Sequence, residues 1–123
     1  MIAAVNGPAI GIGLTMLLHC DLVYAAASAT FTAPFVKLGL VPEAASSMLL
    51  SASVGMAVAN DILLAGRSLS AEEAHNYGLV SRVFDDGALQ GQVADIAKHV
   101  AASAPEAIKL SKSLIRHQRD QVA

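Results

Sequence analysis

The chain has 123 residues, enough for one domain, with a net charge of −2 and a mean hydropathy of +0.54. Hydrophobic residues make up 54% and charged residues 15%, where an ordinary soluble domain carries about 25% charged. So apolar a chain points to surface buried against partner subunits, to a fold completed by other segments, or to a membrane. Its charge gives no reason to expect a nucleic-acid partner, and the single cysteine, Cys20, excludes an intrachain disulfide framework. Cys20 lies in an apolar run and reads as a buried thiol of a reducing compartment.

Residues 1–20 carry no charged side chain, the length of a spanning helix of about 20 residues, and Gly7 and Gly11 have the G-x-x-x-G spacing. Asn6-Gly7-Pro8 interrupts the run, however, and His19 and Asp21 close it without a basic flank. Nor does a positive segment precede Ile2, as a signal peptide requires. The run reads instead as folded elements. Ile2-Ala3-Ala4-Val5 is a short buried strand ended by Asn6-Gly7-Pro8. Gly11 to Cys20 is a helix apolar nearly all round, and therefore buried. Leu22-Val23-Tyr24-Ala25 is a second buried strand and Ala29-Thr30-Phe31-Thr32 a third. Strand, helix, strand in so short a span is a βαβ-like unit, which favours a parallel sheet.

Beyond Pro34 the pattern turns helical. Phe35 to Leu38 makes one turn, and Ala44–Ala52 and Gly55–Leu64 make two helices, with Gly66 as the C′ glycine of the second. Ser70 is the N-cap of a helix running to Tyr77, and Glu73 is its capping-box acid. Leu79 to Phe84 is a strand stopped by Asp85-Asp86-Gly87. Two amphipathic helices follow, over 88–102 and 105–119, and Pro105 fits the first helical position of the last. That helix carries Lys109, Lys112, Arg116 and Arg119 at spacings of three and four, a basic face that ordinarily meets solvent and only at a stretch an anionic ligand or an acidic neighbour. No internal sequence repeat is visible. Only Asp21, Lys37 and Glu43 are charged in the first 60 residues, so the N-terminal half reads as core and the C-terminal half as cover.

Two constellations could carry chemistry. In Asn6-Gly7-Pro8-Ala9-Ile10-Gly11-Ile12-Gly13 a strand passes through a glycine turn into a helix, where free backbone N–H groups converge. Such a turn can hold a phosphate or a developing oxyanion, or simply allow close strand–helix packing. Phosphate is disfavoured, because Met16 stands where a dinucleotide fingerprint needs glycine and there is no Walker lysine. The second is Glu43, a carboxylate in the apolar stretch Leu38-Gly39-Leu40-Val41-Pro42-Glu43-Ala44-Ala45. In an apolar pocket its pKa would rise and it could shuttle protons near neutral pH. By spacing alone, a solvated turn carboxylate is the commoner reading. His19, His75, His99 and His117 show no metal-ligand spacing, and Ser46-Ser47 lacks a nucleophile elbow.

Taken together and in order, these segments resemble the crotonase superfamily, the enoyl-CoA hydratases and isomerases. Ile2 to Gly13 is similar to that family's I-A-A-V-x-G-x-A-x-G-x-G stretch, and Cys20 to Ala25 to its C-D-hydrophobic-hydrophobic-x-A segment. Phe31 to Pro42 resembles F-x-x-P-x-x-x-x-G-hydrophobic-x-P. Leu64-Ala65-Gly66-Arg67 with Ser70 to Val80 resembles the L-x-G … A-x-x-A-x-x-x-G-L-V signature. The resemblance implies an α/β fold, a ClpP/crotonase-like spiral of ββα units, here N-terminally truncated, with a C-terminal helical region. Residues 1–43 would be spiral core and active-site segment, and 44–123 mainly helical.

The resemblance further implies an acyl-CoA thioester substrate, fatty-acid β-oxidation chemistry and a homo-trimer or hexamer. It implies no metal or redox cofactor beyond the substrate's own coenzyme A, and no nucleic-acid or membrane partner. It makes the Ile12 amide one donor of the oxyanion hole. Hydratases carry two glutamates where this chain has Thr15 and Phe35, which counts against water addition. A single Glu directly after Pro42 resembles the Δ3,Δ2-enoyl-CoA isomerase branch and makes Glu43 the catalytic acid/base. Ala9, Gly11, Thr15, Pro34, Phe35 and Leu38 would line the substrate, and Lys112 would reach the CoA phosphates. Family members begin well upstream of Met1, so the chain resembles the C-terminal half of the domain. The expectation is an isomerase that shifts a 3-enoyl-CoA double bond to the 2-position. The alternatives are a non-catalytic paralogue acting in assembly or CoA binding, and a hydratase or other acyl-CoA enzyme. A cytoplasmic location is expected, or a mitochondrial or peroxisomal one in a eukaryote; the chain does not end in the peroxisomal S-K-L address.

Overall fold

The computed structural model describes residues 1–42 and 46–122, with side chains described through His117. The chain runs β1 (Ile2–Val5), β2 (Pro8–Ile10), α1 (Ile12–Thr15), a 3-10 turn at Met16–His19, β3 (Leu22–Ala26) and β4 (Thr30–Thr32). After a second 3-10 turn at Val36–Leu38 come α2 (Ser46–Val54), α3 (Met56–Leu63), β5 (Leu69–Ser70), α4 (Ala71–Asn76), β6 (Arg82–Phe84), α5 (Leu89–Ala102) and α6 (Pro105–Val122). Two small sheets result. One has the order β1-β3-β6, all parallel; the other has the order β2-β4-β5, with β5 antiparallel to β4.

A strand in the first sheet, then a strand in the second, then a helical turn: this unit occurs twice in succession. Ile2 pairs with Leu22 in one sheet while Pro8 pairs with Thr30 in the other, so the second unit stacks in parallel on the first. The fold is therefore a ββα spiral, and it repeats in structure although the sequence shows no repeat. The parallel βαβ-like arrangement inferred from the strand pattern is present. Strands β2 and β5, which the pattern does not reveal, are the corrections. Pro8 can open β2 because a first strand residue needs no donor at that position, and β2 bonds only to β4. Both β5 and β6 lie beyond residue 44, so the two sheets draw on the later region as well as on 1–43.

Strand β3 shows how the alternating pleat builds two cores. Val23 and Ala25 face the main cluster, with Leu14, Phe31, Leu50, Ile62 and Leu69. Tyr24 and Ala26 face the other side, against Leu89, Phe84, Val93 and Ile96, where α5 covers the sheet. Tyr24 and Phe84 sit 5.9 Å apart between ring centroids, with the Arg82 guanidinium over both rings.

The expected all-buried helix over Gly11–Cys20 is corrected. It is one α-turn followed by a 3-10 turn, and Ile12 and Met16, one turn apart, are 54% and 49% exposed, whereas Leu14, Thr15 and Leu17 are buried. A segment without charged side chains hides which face is turned outward. Gly66 adopts φ +72°, but α3 ends at Leu63 with Leu64 as its C-cap, so Ala65 takes the C′ place and the glycine falls one position later than expected; Arg67 N–H then donates to Asp61 O at 3.0 Å.

The capping box of α4 forms as read. Ser70 Oγ accepts from Glu73 N–H at 3.1 Å, and Ser70 N–H donates to Glu73 Oε1 at 3.0 Å. Ser70→Ala is expected to lower stability by about 1 kcal/mol, measured by urea titration. An unchanged midpoint would show that the neighbouring β4–β5 pairing holds the helix end without the cap.

Candidate functional site

Gly11 sits at φ 60°, ψ −118°, a backbone region that a side chain disfavours. Its N–H donates to Thr32 O at 2.9 Å, which ties the turn to β4. Gly11 O accepts from both Leu14 N–H and Thr15 N–H at 3.0 Å. The first two amides of α1, those of Ile12 and Gly13, have no carbonyl one turn back and face out of the helix end. Ile12 is thereby the first residue of α1, with its side chain 54% exposed.

Downstream, Phe35 to Leu40 folds back on itself. Leu38 N–H donates to Pro34 O and Phe35 O, and Leu40 N–H donates to Phe35 O at 2.7 Å, with Gly39 at φ 75° allowing the reversal. This turn leads into Val41-Pro42, and Glu43 lies outside the described residues. Val36, Leu38, Leu40 and Val41 are exposed, as are Ile10, Ile12 and Met16 on the glycine-turn side. Exposed apolar side chains thus lie on or beside both segments read as carrying chemistry.

The other predicted site residues fall in distinct places. Ala9 and Phe35 are buried in the main core cluster. Pro34 and Gly11 are half-buried, and Leu38 is 67% exposed. Thr15 is wholly buried, and its Oγ1 has no hydrogen-bond partner. That is unusual, since a helical threonine can bond the carbonyl one turn back. Ser46, at the start of α2, is the same: wholly buried, with an unpartnered Oγ.

Lys112 does not stand free. Its Nζ lies 2.9 Å from Asp21 Oδ2, and Arg116 Nη2 lies 2.8 Å from Asp21 Oδ1. The basic face of α6, expected to be solvated, instead meets an acidic neighbour in Asp21, just before β3. The sequence offered no sign of the pairing beyond two opposite charges far apart. Partial burial alone would raise the Asp21 pKa, but hydrogen bonds from the Met1 amine and Lys112, with the Arg116 charge, outweigh it and hold the carboxyl down to about 2. A depressed carboxylate stabilises the fold above its unfolded pKa and ceases to do so as pH falls through the folded one. Stability is therefore expected to drop between about pH 4 and pH 2, and Asp21→Asn should flatten that part of a pH–stability curve.

Cavities lie elsewhere among the described residues. One of about 380 Å³ is lined by Leu17, Cys20, Val23, Leu49, Ser53 and Leu79, and one of about 570 Å³ lies between α6 and the start of β1 and β3. Neither includes Gly11 or Ile12. Among the described residues no three His, Cys, Asp or Glu side chains converge as a metal site, and no helix is long and apolar enough to cross a membrane.

Known proteins place this geometry in context. Residues 1–123 match the family described as Enoyl-CoA hydratase/isomerase. The chain is 41% identical over 116 residues to Chromodomain Y-like protein of Homo sapiens, covering 94% of the chain and 19% of that protein. It is 43% identical over 116 residues to Enoyl-CoA delta isomerase 2 of Rattus norvegicus, covering 94% of the chain and 30% of that protein. The solved enoyl-CoA hydratase/isomerase of Pseudoalteromonas atlantica T6c superposes with a TM-score of 0.95 at 59% identity, covering 98% of this chain and 48% of that one. The chain thus spans half or less of the length of these relatives.

Proposed function

Because the chain belongs to the enoyl-CoA hydratase/isomerase family, we propose that it carries the acid/base and one oxyanion donor of an enoyl-CoA isomerase. The observation that supports this most is the Gly11 turn, which leaves the Ile12 amide at an open helix start beside exposed apolar side chains. The substrate would be a 3-enoyl-CoA. Glu43 takes a proton from C2, and the electron pair delocalises through the thioester carbonyl into a dienolate. The Ile12 N–H stabilises the resulting oxyanion, where such a donor typically contributes about 2.7–4 kcal/mol. Glu43 returns the proton to C4, the carbonyl re-forms and the double bond rests between C2 and C3. One carboxylate that cycles between its two forms is sufficient.

Thr15 and Phe35 offer no second carboxylate, which favours isomerisation over hydration. Identity to the chromodomain protein and to the isomerase differs by two percentage points, so it does not choose between roles. The test supplies the chain with 3-enoyl-CoA in deuterated water and follows 2-enoyl-CoA formation. Conversion without net hydration is the expected result, with label entering C4 only to the extent that the Glu43 proton exchanges with solvent before it is returned. A 3-hydroxyacyl product would indicate a hydratase. Complete inertness, with CoA or partner binding retained, would favour the non-catalytic reading.

A further inference from the structure

Thr15 and Ser46 are wholly buried, and neither hydroxyl has a hydrogen-bond partner among the described residues. Further chain packed on the outside would leave both as buried as they are. A buried hydroxyl left unpaired is costly, and in native folds such groups nearly always find a partner. Thr15 has a local reason for lacking one. The carbonyl four residues back, Gly11 O, already accepts from Leu14 N–H and Thr15 N–H at 3.0 Å, which fills its two lone pairs. Ser46 has no such reason. A helical serine can donate to a carbonyl three or four positions back. Ser51 on the same helix does so, to Ser47 O at 3.1 Å and Met48 O at 3.0 Å. Ser46 Oγ makes no such bond to Pro42 O.

The nearest side chain upstream that offers an acceptor is Glu43, three positions back; Ala44 and Ala45 between them offer none. Side chains three apart at a helix start lie within hydrogen-bonding reach of each other. We propose that Ser46 is a positioning residue for the acid/base: its hydroxyl donates to one oxygen of the Glu43 carboxylate and leaves the other to take the C2 proton and pass it to C4. The assignment rests on the isomerase reading of Glu43. Because the proton travels on the free oxygen, the Ser46 bond persists through both halves of the cycle. It fixes which oxygen faces the substrate. It also favours the ionised carboxylate, and so opposes the rise in pKa that apolar surroundings cause.

The test follows the Glu43 carboxyl carbon by NMR through a pH titration of the full chain, with Glu43→Gln identifying its signal. The pH profile of kcat/KM for 3-enoyl-CoA is measured beside it. Ser46→Ala is expected to raise the Glu43 pKa by about one unit, to move the acid limb of the profile up with it, and to lower kcat about tenfold. Ser46→Thr keeps the hydroxyl and should titrate like the native chain. A Glu43 titration unmoved by Ser46→Ala overturns the proposal, as does an equal shift in Ser46→Thr. If Ser46→Ala fails to fold, Ser46→Cys, close in size and a weak donor, carries the same comparison. A native chain inert towards 3-enoyl-CoA ends the isomerase reading instead, and the carboxyl titration still decides whether Ser46 holds Glu43.

Discussion

Glu43→Gln is expected to lower kcat for 3-enoyl-CoA isomerisation by about 10²- to 10⁴-fold, the range that a positioned acid/base supplies. The amide keeps the size and hydrogen-bonding capacity of the carboxyl but cannot accept the C2 proton. KM should change little, because the acyl-CoA contacts are untouched. The comparison is made by steady-state kinetics, with circular dichroism confirming an unchanged fold. A variant within threefold of the native rate would remove Glu43 from the mechanism and leave the glycine turn without a partner base.

Gly11→Ala should cost catalysis more than stability. No atom lies within 4 Å of a Cβ built on Gly11, so the penalty is not a clash with neighbours. It comes from φ 60°, ψ −118°, where a side chain costs about 1–3 kcal/mol of backbone strain. The chain can relieve that strain by rotating the peptide that carries the Ile12 N–H. Losing the donor would then lower kcat by about 10²- to 10³-fold. Gly13 provides the control: it has the same open space around a built Cβ and no positive φ. Gly13→Ala should leave stability equal or raise it by about 0.5–1 kcal/mol. Equal kcat losses in the two variants would mean that added bulk, not the direction of the amide, is responsible.

Much of the fold was legible because its signals are local. The capping box at Ser70 and Glu73 needs only two residues three apart, and it forms in full. The strands at Ile2–Val5 and Leu22–Ala26 announce themselves as short apolar runs between turn residues. Strand β2 did not, since three residues after Asn6-Gly7 become a strand only by pairing with Thr30–Thr32. The exposure of Ile12 and Met16 was hidden for a related reason: hydrophobic character measures what a side chain tolerates, and neighbours decide what it meets.

The candidate site divides in the same way. Residue identity alone determined that this chain offers one carboxylate beside an apolar proline turn, a glycine-led helix start, and no carboxylate at Thr15 or Phe35, because those facts are composition and order. Tertiary structure alone decided that Gly11 takes a positive-φ conformation at the start of α1, and that Thr15 and Ser46 bury unpartnered hydroxyls. It also decided that Lys112 and Arg116 are spent on Asp21. Arg116 and His19, joined by a hydrogen bond, stand 97 positions apart. A charge can be read from one letter, but its partner is set by how the spiral brings the chain back on itself.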